Sequence, residues 1–174
     1  ITITVREHQN IKSGDRTHYH GIHWTRVEKQ HSIFGEIDFL IVNAAGKVLL
    51  IEQKSGFLQE TEGGLVKRYG DKEKSVPAQM ARTADHLQQK FGLANRGAKL
   101  FIEILLYCPD YEVRNPGAAG IDPERIIDSK KRPYFLPLIQ QFLPDEAADD
   151  EVRERTHRYF SGVQIGRASC RGRV

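Results

Sequence analysis

The chain has 174 residues, of which 39% are hydrophobic and 28% charged, with a formal net charge of +3. That is enough for one domain with a real core rather than two, and the mild positive charge permits a polyanionic partner without demanding one. No apolar run approaches the roughly 20 residues that span a bilayer, no signal-peptide pattern opens the chain, and two cysteines exclude both a disulfide framework and a cysteine-based zinc site.

The expectation is therefore a protein with no membrane segment in a reducing, cytoplasmic setting. Residues 1–17 show no clear periodicity and read as an uncertain, truncated leading segment. Residues 17–27 (THYHGIHWTRV) are rich in β-branched and aromatic types and predict a strand. The histidines His18, His20, His23 and His31 invite a metal reading, but strand alternation puts His18 and His20 on one face and His23 on the other. Partly exposed strand histidines are the simpler reading. Tyr19 and Trp24 have the chemistry to stack on bases, with sheet packing as the plainer alternative.

Two hydrophobic runs follow, GEIDFLIV (35–42) and KVLLIEQK (47–54), joined by Asn43-Ala44-Ala45-Gly46. They predict a hairpin of central strands, apolar on both faces: Ile37, Phe39, Ile41, Leu49 and Ile51 on one, Leu40, Val42, Val48 and Leu50 on the other. Residues 55–74 contain paired glycines and charges and predict an excursion with one short strand near LVKRY. Ser75 as cap, Pro77 in the first turn and the spacing of Val76, Met80, Ala84, Leu87 and Phe91 predict a helix over 76–91. Residues 99–107 (KLFIEILLY) predict a buried strand in which Glu103 has no evident partner, and Cys108 beside it reads as a small buried hydrophobe.

A loop through PGAAGIDPER leads to a short strand at 125–128. Pro133 opens a second helix bearing Leu136, Ile139, Phe142 and Leu143, and residues 145–160 predict a charged amphipathic helix with an acidic first turn. The predicted class is α/β, a central mixed sheet flanked by helices. The core domain is drawn at 18–143 and the charged helix at 144–163. Residues 164–174, basic and Gly-rich, are expected to be a non-native tail, with a solvated, nucleic-acid-gripping tail as the alternative. The whole reads as a piece of a longer protein.

The hairpin carries the chemistry. A turn centred on Ala45 pairs residues whose numbers sum to 90, which sets Asp38 opposite Glu52. Directly opposed carboxylates lie roughly 5 Å apart at Cβ and repel. Lys54 points to the same face as Glu52. A divalent cation between the two acids accounts for their retention among apolar neighbours. The alternative is a cross-strand salt-bridge cluster in which Lys54 neutralises them.

Asp38, then Glu52-x-Lys54 on the next strand with a helix after it, resembles the restriction-endonuclease-like fold of the PD-(D/E)xK superfamily. Within it, GEIDFLIVNAAGKVLLIEQKSG is similar to the nuclease-related domain, of the kind found beside helicase modules. The likeness covers roughly residues 18–143. It implies a restriction-endonuclease-like core and an Mg²⁺- (or Mn²⁺-) dependent nuclease acting on DNA, with RNA left open, in a chain that also carries a helicase or ATPase. On that likeness Asp38 and Glu52 hold the metal with the carbonyl of Gln53 and waters, and Lys54 orients water or stabilises the phosphorus centre. Gln79 supports the site, and Lys67, Arg68, Lys72 and Lys74 contact the nucleic-acid backbone. For those four, a solvated loop interleaved with Asp71 and Glu73 is an equal reading. The family often adds an acid from an earlier helix; Glu7 is a poor substitute, and Glu36, two before Asp38, is the residue to fill in. The missing acid supports an alternative function, a non-catalytic nucleic-acid-binding module on the nuclease fold. No Gly-x-x-x-x-Gly-Lys-Ser/Thr loop occurs, which excludes an ATPase within these residues.

Overall fold

Strands that are apolar on both faces need cover on both faces, and this requirement sets the architecture. The computed structural model describes residues 3–7, 17–28, 31–144 and 149–163, with side chains from 37 to 144 and from 149 to 160. In chain order it runs β1 (Ile3–Glu7), β2 (Thr17–Glu28), β3 (His31–Val42), β4 (Val48–Gln53), β5 (Gln59–Thr61), β6 (Gly64–Tyr69), β7 (Lys72–Ser75), α1 (Val76–Ala94), β8 (Ile102–Cys108), β9 (Ile126–Asp128), α2 (Phe135–Phe142) and α3 (Asp150–Val163). The main sheet has the order β1-β2-β3-β4-β8-β9, while β5-β6-β7 form a separate three-stranded sheet. The first four strands are antiparallel neighbours; β8 runs parallel to β4, and β9 parallel to β8. The sheet is therefore mixed and flanked by helices, an α/β architecture consistent with a restriction-endonuclease-like fold.

The β3–β4 register pairs Phe39 with Ile51, Leu40 with Leu50, Ile41 with Leu49 and Val42 with Val48, as the turn arithmetic predicts. Asn43 holds the turn. Its backbone N–H donates to the Lys47 carbonyl at 3.0 Å, and its side-chain oxygen accepts the Lys47 N–H at 2.8 Å. Its side-chain amide donates to the Pro144 carbonyl at 3.1 Å, tying the hairpin to the segment after α2. A fully buried Asn is tolerable because these groups are satisfied.

One sheet face packs on α1 and α3: Leu40, Val42, Val48 and Leu50 meet Leu87, Phe91 and Phe160. The other packs on α2, where Ile41, Leu49, Ile51, Leu105 and Ile127 meet Ile139 and the adjoining Leu143. A third cluster joins the small sheet to the main one through Leu58, Leu65, Val76, Met80, Leu106, Cys108 and Ile126. One expected position moves. Ile37 clusters with Leu40 and Val42 rather than with Phe39 and Ile41. The β2–β3 register is the same on both sides of Asp38, His20 opposite Phe39 and Ile22 opposite Ile37, so the change of cluster comes from what packs against the end of β3, where Ile37 lines a pocket with Leu50, Glu52, Met80 and Ile104.

Other differences have equally physical causes. Residues 3–7, without visible periodicity, form β1 by pairing with β2, for example Val5 with Ile22; an edge strand needs only a partner's backbone. The excursion contains three strands rather than one, because Glu62-Gly63 and Gly70-Asp71 make two tight turns that short polar strands do not announce. A 3₁₀ turn at Arg132–Tyr134 precedes α2, so Pro133 lies before the helix proper. The expected tail at 164–174, the side chains of Tyr19, Trp24 and Glu36, those of the four strand histidines and the identity of residues 145–148 as helix lie outside the described residues. Glu103 has a partner, an ion pair with Arg125, whose guanidinium also stacks 5.2 Å from the Phe142 ring. Cys108 is fully buried, and burial together with the Asp128 carboxylate pushes its thiol up to about 12. Among the described residues, no helix is long and apolar enough to cross a membrane.

The small sheet is docked by close backbone approach. Gly64 sits at φ +105°, and a Cβ there would lie 2.8 Å from the Ala119 carbonyl oxygen, the group that accepts the Leu65 N–H at 3.0 Å. Gly63 has no such neighbour, only Thr61 Oγ1 at 3.8 Å. Gly64→Ala is expected to lower stability by about 1–3 kcal/mol in urea unfolding, and Gly63→Ala by less than ~1 kcal/mol. Equal midpoints for the two variants would remove this docking constraint.

Candidate functional site

The candidate residues gather where β3 and β4 leave the apolar core. Glu52 occupies the next-to-last position of β4 and is only 5% exposed. In the parallel ladder it stands beside Leu106, and it forms the one charged wall of a pocket lined by Ile37, Leu50, Ile51, Met80, Thr83 and Ile104. Lys54, just past the strand, is 6% exposed, and its backbone N–H donates to the Tyr107 carbonyl at 2.9 Å. That bond extends the ladder by one residue and fixes where the side chain starts. Lys54 Nζ forms a buried ion pair with Glu52 Oε1.

The same oxygen accepts a second donor, Gln79 Nε2, at 2.6 Å. Gln79 lies in the first turn of α1, which Ser75 caps by accepting the Ala78 N–H at 3.3 Å. Because α1 packs over the face carrying Leu50 and Glu52, a residue in its first turn arrives above Glu52. Thr83 Oγ1 donates back to the Gln79 carbonyl at 3.0 Å, one turn along. Charges this deeply buried lose several kcal/mol of hydration each, offset only by good pairing and further hydrogen bonds. Lys54 and Gln79 provide both.

Asp38 is half-buried, and its Oδ2 accepts the backbone N–H of Gln53 at 2.7 Å. The β3–β4 register ends at Phe39 opposite Ile51, so the expected pairing of Asp38 with Glu52 is not part of the ladder, and the Asp38 side chain reaches Gln53 instead. Asp38 thus closes the hairpin end on the residue between Glu52 and Lys54. The Gln53 side chain donates to Ser55 Oγ at 3.3 Å. Glu36 pairs with His23 in the β2–β3 register, and Glu7 pairs with His20.

Chemically, the donor set suits a hard cation: two carboxylates and a backbone carbonyl on adjoining strands, with a lysine beside them. Among the described residues, no three or more His, Cys, Asp or Glu side chains come together as a metal site. A cation here would rest on Asp38 and Glu52 and complete its shell with carbonyl and water.

The four basic residues divide. Lys67 Nζ donates to the carbonyls of Ser55 and, at 3.0 Å, Phe57; it braces the segment that follows Lys54. Arg68 pairs with Glu73 at 2.9 Å on an exposed surface. Lys72 is exposed, and Lys74 lies over the Tyr69 ring at 5.3 Å. The backbone donor of Gln53 and the bracing role of Lys67 are invisible in the spacing of residues, since both depend on where a loop carbonyl or a strand end comes to rest.

Residues 4–109 match the family model described as the nuclease-related domain. The match covers more than half of the chain, which therefore belongs to the nuclease-related domain family. Neither the curated proteins nor the solved structures give a match.

The shared carboxylate oxygen predicts energetic coupling. In a double-mutant cycle with Glu52→Gln and Lys54→Met, the pair is expected to couple by about 1–3 kcal/mol, the double variant costing less than the two single changes added together. Additive losses in chemical denaturation would show that the two charges do not sense one another.

Proposed function

We propose that this chain is an Mg²⁺-dependent nuclease domain that hydrolyses DNA phosphodiester bonds, a piece of a longer protein that also carries a helicase or ATPase. The observation that carries the reading is the convergence of Lys54 and Gln79 on the buried Glu52, with Asp38 bonded to the residue between Glu52 and Lys54, in a chain of the nuclease-related domain family. A buried acid held by a lysine and an amide at the end of a central strand is a costly arrangement for structure alone.

In this reading Asp38 and Glu52 would hold the cation, and the Gln53 carbonyl would be a further oxygen ligand. When bound, such an ion acts as a Lewis acid, favouring ionisation of water and offsetting negative charge on a phosphate. Lys54 presents its ammonium to the phosphate oxygens, where charge grows as water adds to phosphorus and the ester oxygen departs. Gln79 holds Glu52 in place, so that the carboxylate does not rotate toward Lys54 alone; it is a positioning residue. Lys67, Lys72 and Lys74 give backbone affinity without reading sequence. A reducing cytoplasmic setting belongs to the same reading and fits Cys108 as a free, buried thiol.

One observation favours the second reading, a binding module without hydrolysis. Glu52 Oε1 already serves both Lys54 and Gln79, and no third acid joins the site among the described residues. The two readings part on a single substitution. Asp38→Asn keeps an acceptor for the Gln53 N–H but removes the charge, so the fold is expected to survive. The nuclease reading expects Mg²⁺ binding by calorimetry to be lost and cleavage of labelled DNA to fall by at least about 10²-fold, with a similar fall for Lys54→Ala. DNA binding with no cleavage by the wild-type chain at any Mg²⁺ or Mn²⁺ concentration would select the binding module.

Gln79 gives a graded test. Gln79→Ala is expected to reduce Mg²⁺ affinity and cleavage by about 10–100-fold, and saturating Mg²⁺ is expected to restore part of the rate. A rate unchanged at limiting Mg²⁺ would limit Gln79 to packing.

A further inference from the structure

The segment leaving Lys54 presents an aromatic ring to solvent. Phe57 is 73% exposed, whereas Leu58 beside it is fully buried. A lone exposed Phe is no signal by itself. What distinguishes Phe57 is that it is held in place. Gly56, at φ +70°, donates its N–H to Asp110 Oδ2 at 2.8 Å. Lys67 Nζ grips the carbonyls of Ser55 and Phe57. The ring stands edge-on to Tyr111, with centroids 5.3 Å apart and planes at 85°. Tyr111 is itself pinned, its hydroxyl donating to Glu60 Oε1 at 2.7 Å, while the Glu60 carboxylate also accepts the N–H groups of Arg114 at 2.9 Å and Asn115 at 2.8 Å. Burial raises the Glu60 carboxyl, but these donors outweigh it and hold it below its ordinary range. The support for the ring therefore stays charged and fixed at neutral pH.

An independent observation comes from the β6–β7 ribbon. Lys67 is paired directly with Lys74, and Tyr69 with Lys72. Alternation puts these four residues on one face, and the Arg68–Glu73 pair on the other. Like charges opposed across a ladder are destabilising. Three lysines on one face, two of them paired, with a half-exposed Tyr69 among them, match a polyanion that also offers flat rings. The lysine face touches the Phe57 segment through Lys67. Phe57 lies three residues from Lys54, a chain span of at most about 11 Å.

We infer that Phe57 and Tyr69, with Lys67, Lys72 and Lys74, form a path for single-stranded nucleic acid leading to Lys54, Phe57 stacking on an unpaired base near the scissile phosphate. The inference rests on the nuclease reading for its destination and adds the substrate class. Duplex DNA hides its base faces within the stack and gains only the lysine contacts. A single strand gains both, because each base has a face to offer. Arg68, on the opposite face and paired with Glu73, is not part of the path.

The test is binding without turnover, in EDTA, by fluorescence anisotropy. The probes are a labelled oligothymidylate of roughly 20 nucleotides, a duplex of equal length, and a single strand of the same length made of abasic residues. Phe57→Ala is expected to weaken oligothymidylate binding by about 5- to 150-fold and duplex binding by less than about twofold. Phe57→Leu keeps the apolar bulk without the ring and is expected to behave like Phe57→Ala, while Phe57→Trp retains binding. On the abasic strand the wild type and Phe57→Ala are expected to bind alike. Arg68→Ala is expected to leave the single-strand preference intact. At 73% exposure the Phe57 variants are expected to melt with the wild type, so a fold defect does not confuse the result. Unchanged oligothymidylate affinity in Phe57→Ala, or an equal loss on the abasic strand, overturns the stacking path and leaves the nuclease reading standing on Asp38 and Lys54. Stacking on Phe57 together with intact Mg²⁺-independent binding and no cleavage sustains the path and overturns its destination.

Discussion

A carboxylate that is only 5% exposed among leucines and isoleucines is the constraint on which the rest of the site depends. Left unpaired, a charge buried this deeply would cost several kcal/mol. Its neighbours are therefore not optional. Lys54 must return along the same strand edge, and α1 must dock with its first turn over β4 so that Gln79 reaches the same oxygen. The docking of α1 depends in turn on Leu87 and Phe91 against Leu40, Val42, Val48 and Leu50. The buried charge and the apolar core thus specify each other's position: packing brings the amide to the acid, and the acid makes only one placement of the helix electrostatically acceptable.

The second sheet is the less expected part of the molecule. It interrupts the connection from β4 to α1 and is fastened by backbone contacts, the Leu65 N–H to the Ala119 carbonyl and the closeness of Gly64 and Gly120 to Pro77. Pro77 opens α1, so the small sheet, the 116–120 turn and the start of the helix meet at one point. The consequence reaches the site. Lys67 on β6 and Asp110 after β8 hold the segment that leaves Lys54, so the lysine backbone is restrained from both ends. Such restraint limits how far the Lys54 backbone can shift, the kind of support that a preorganised arrangement of charge requires.

Legibility in the sequence followed the range of each interaction. The hairpin register was readable because it depends on turn length and on a period of two, both local, and the β3–β4 pairs agree with it from Phe39 to Val42. The class of fold and the family were readable from the same stretch, since two long apolar strands, an acid-x-lysine and a capped helix stand in sequence order. The face assignment of Ile37 was not, because its neighbours at the end of β3, Met80 on α1 and Ile104 on β8, come from distant segments. β1 was missed because an edge strand takes its identity from a neighbour's hydrogen bonds rather than from its own pattern. Glu103 had no partner in sequence because Arg125 lies on another segment, brought alongside only by the β8–β9 pairing.

By itself, then, the sequence determined which residue types are available, the two central strands, their register and the helix that follows, because propensity, alternation and capping act over a few residues. The tertiary structure decided the rest. It alone put Gln79 and Lys54 on one oxygen of Glu52, turned Asp38 onto the Gln53 N–H, separated the three lysines from Arg68 across a ribbon, and set Phe57 upright against Tyr111. The longest of those contacts, Gln79 to Glu52 and Phe57 to Tyr111, join segments far apart in the chain, and the geometry of all of them exists only once the sheet faces are covered and the buried polar groups have been matched.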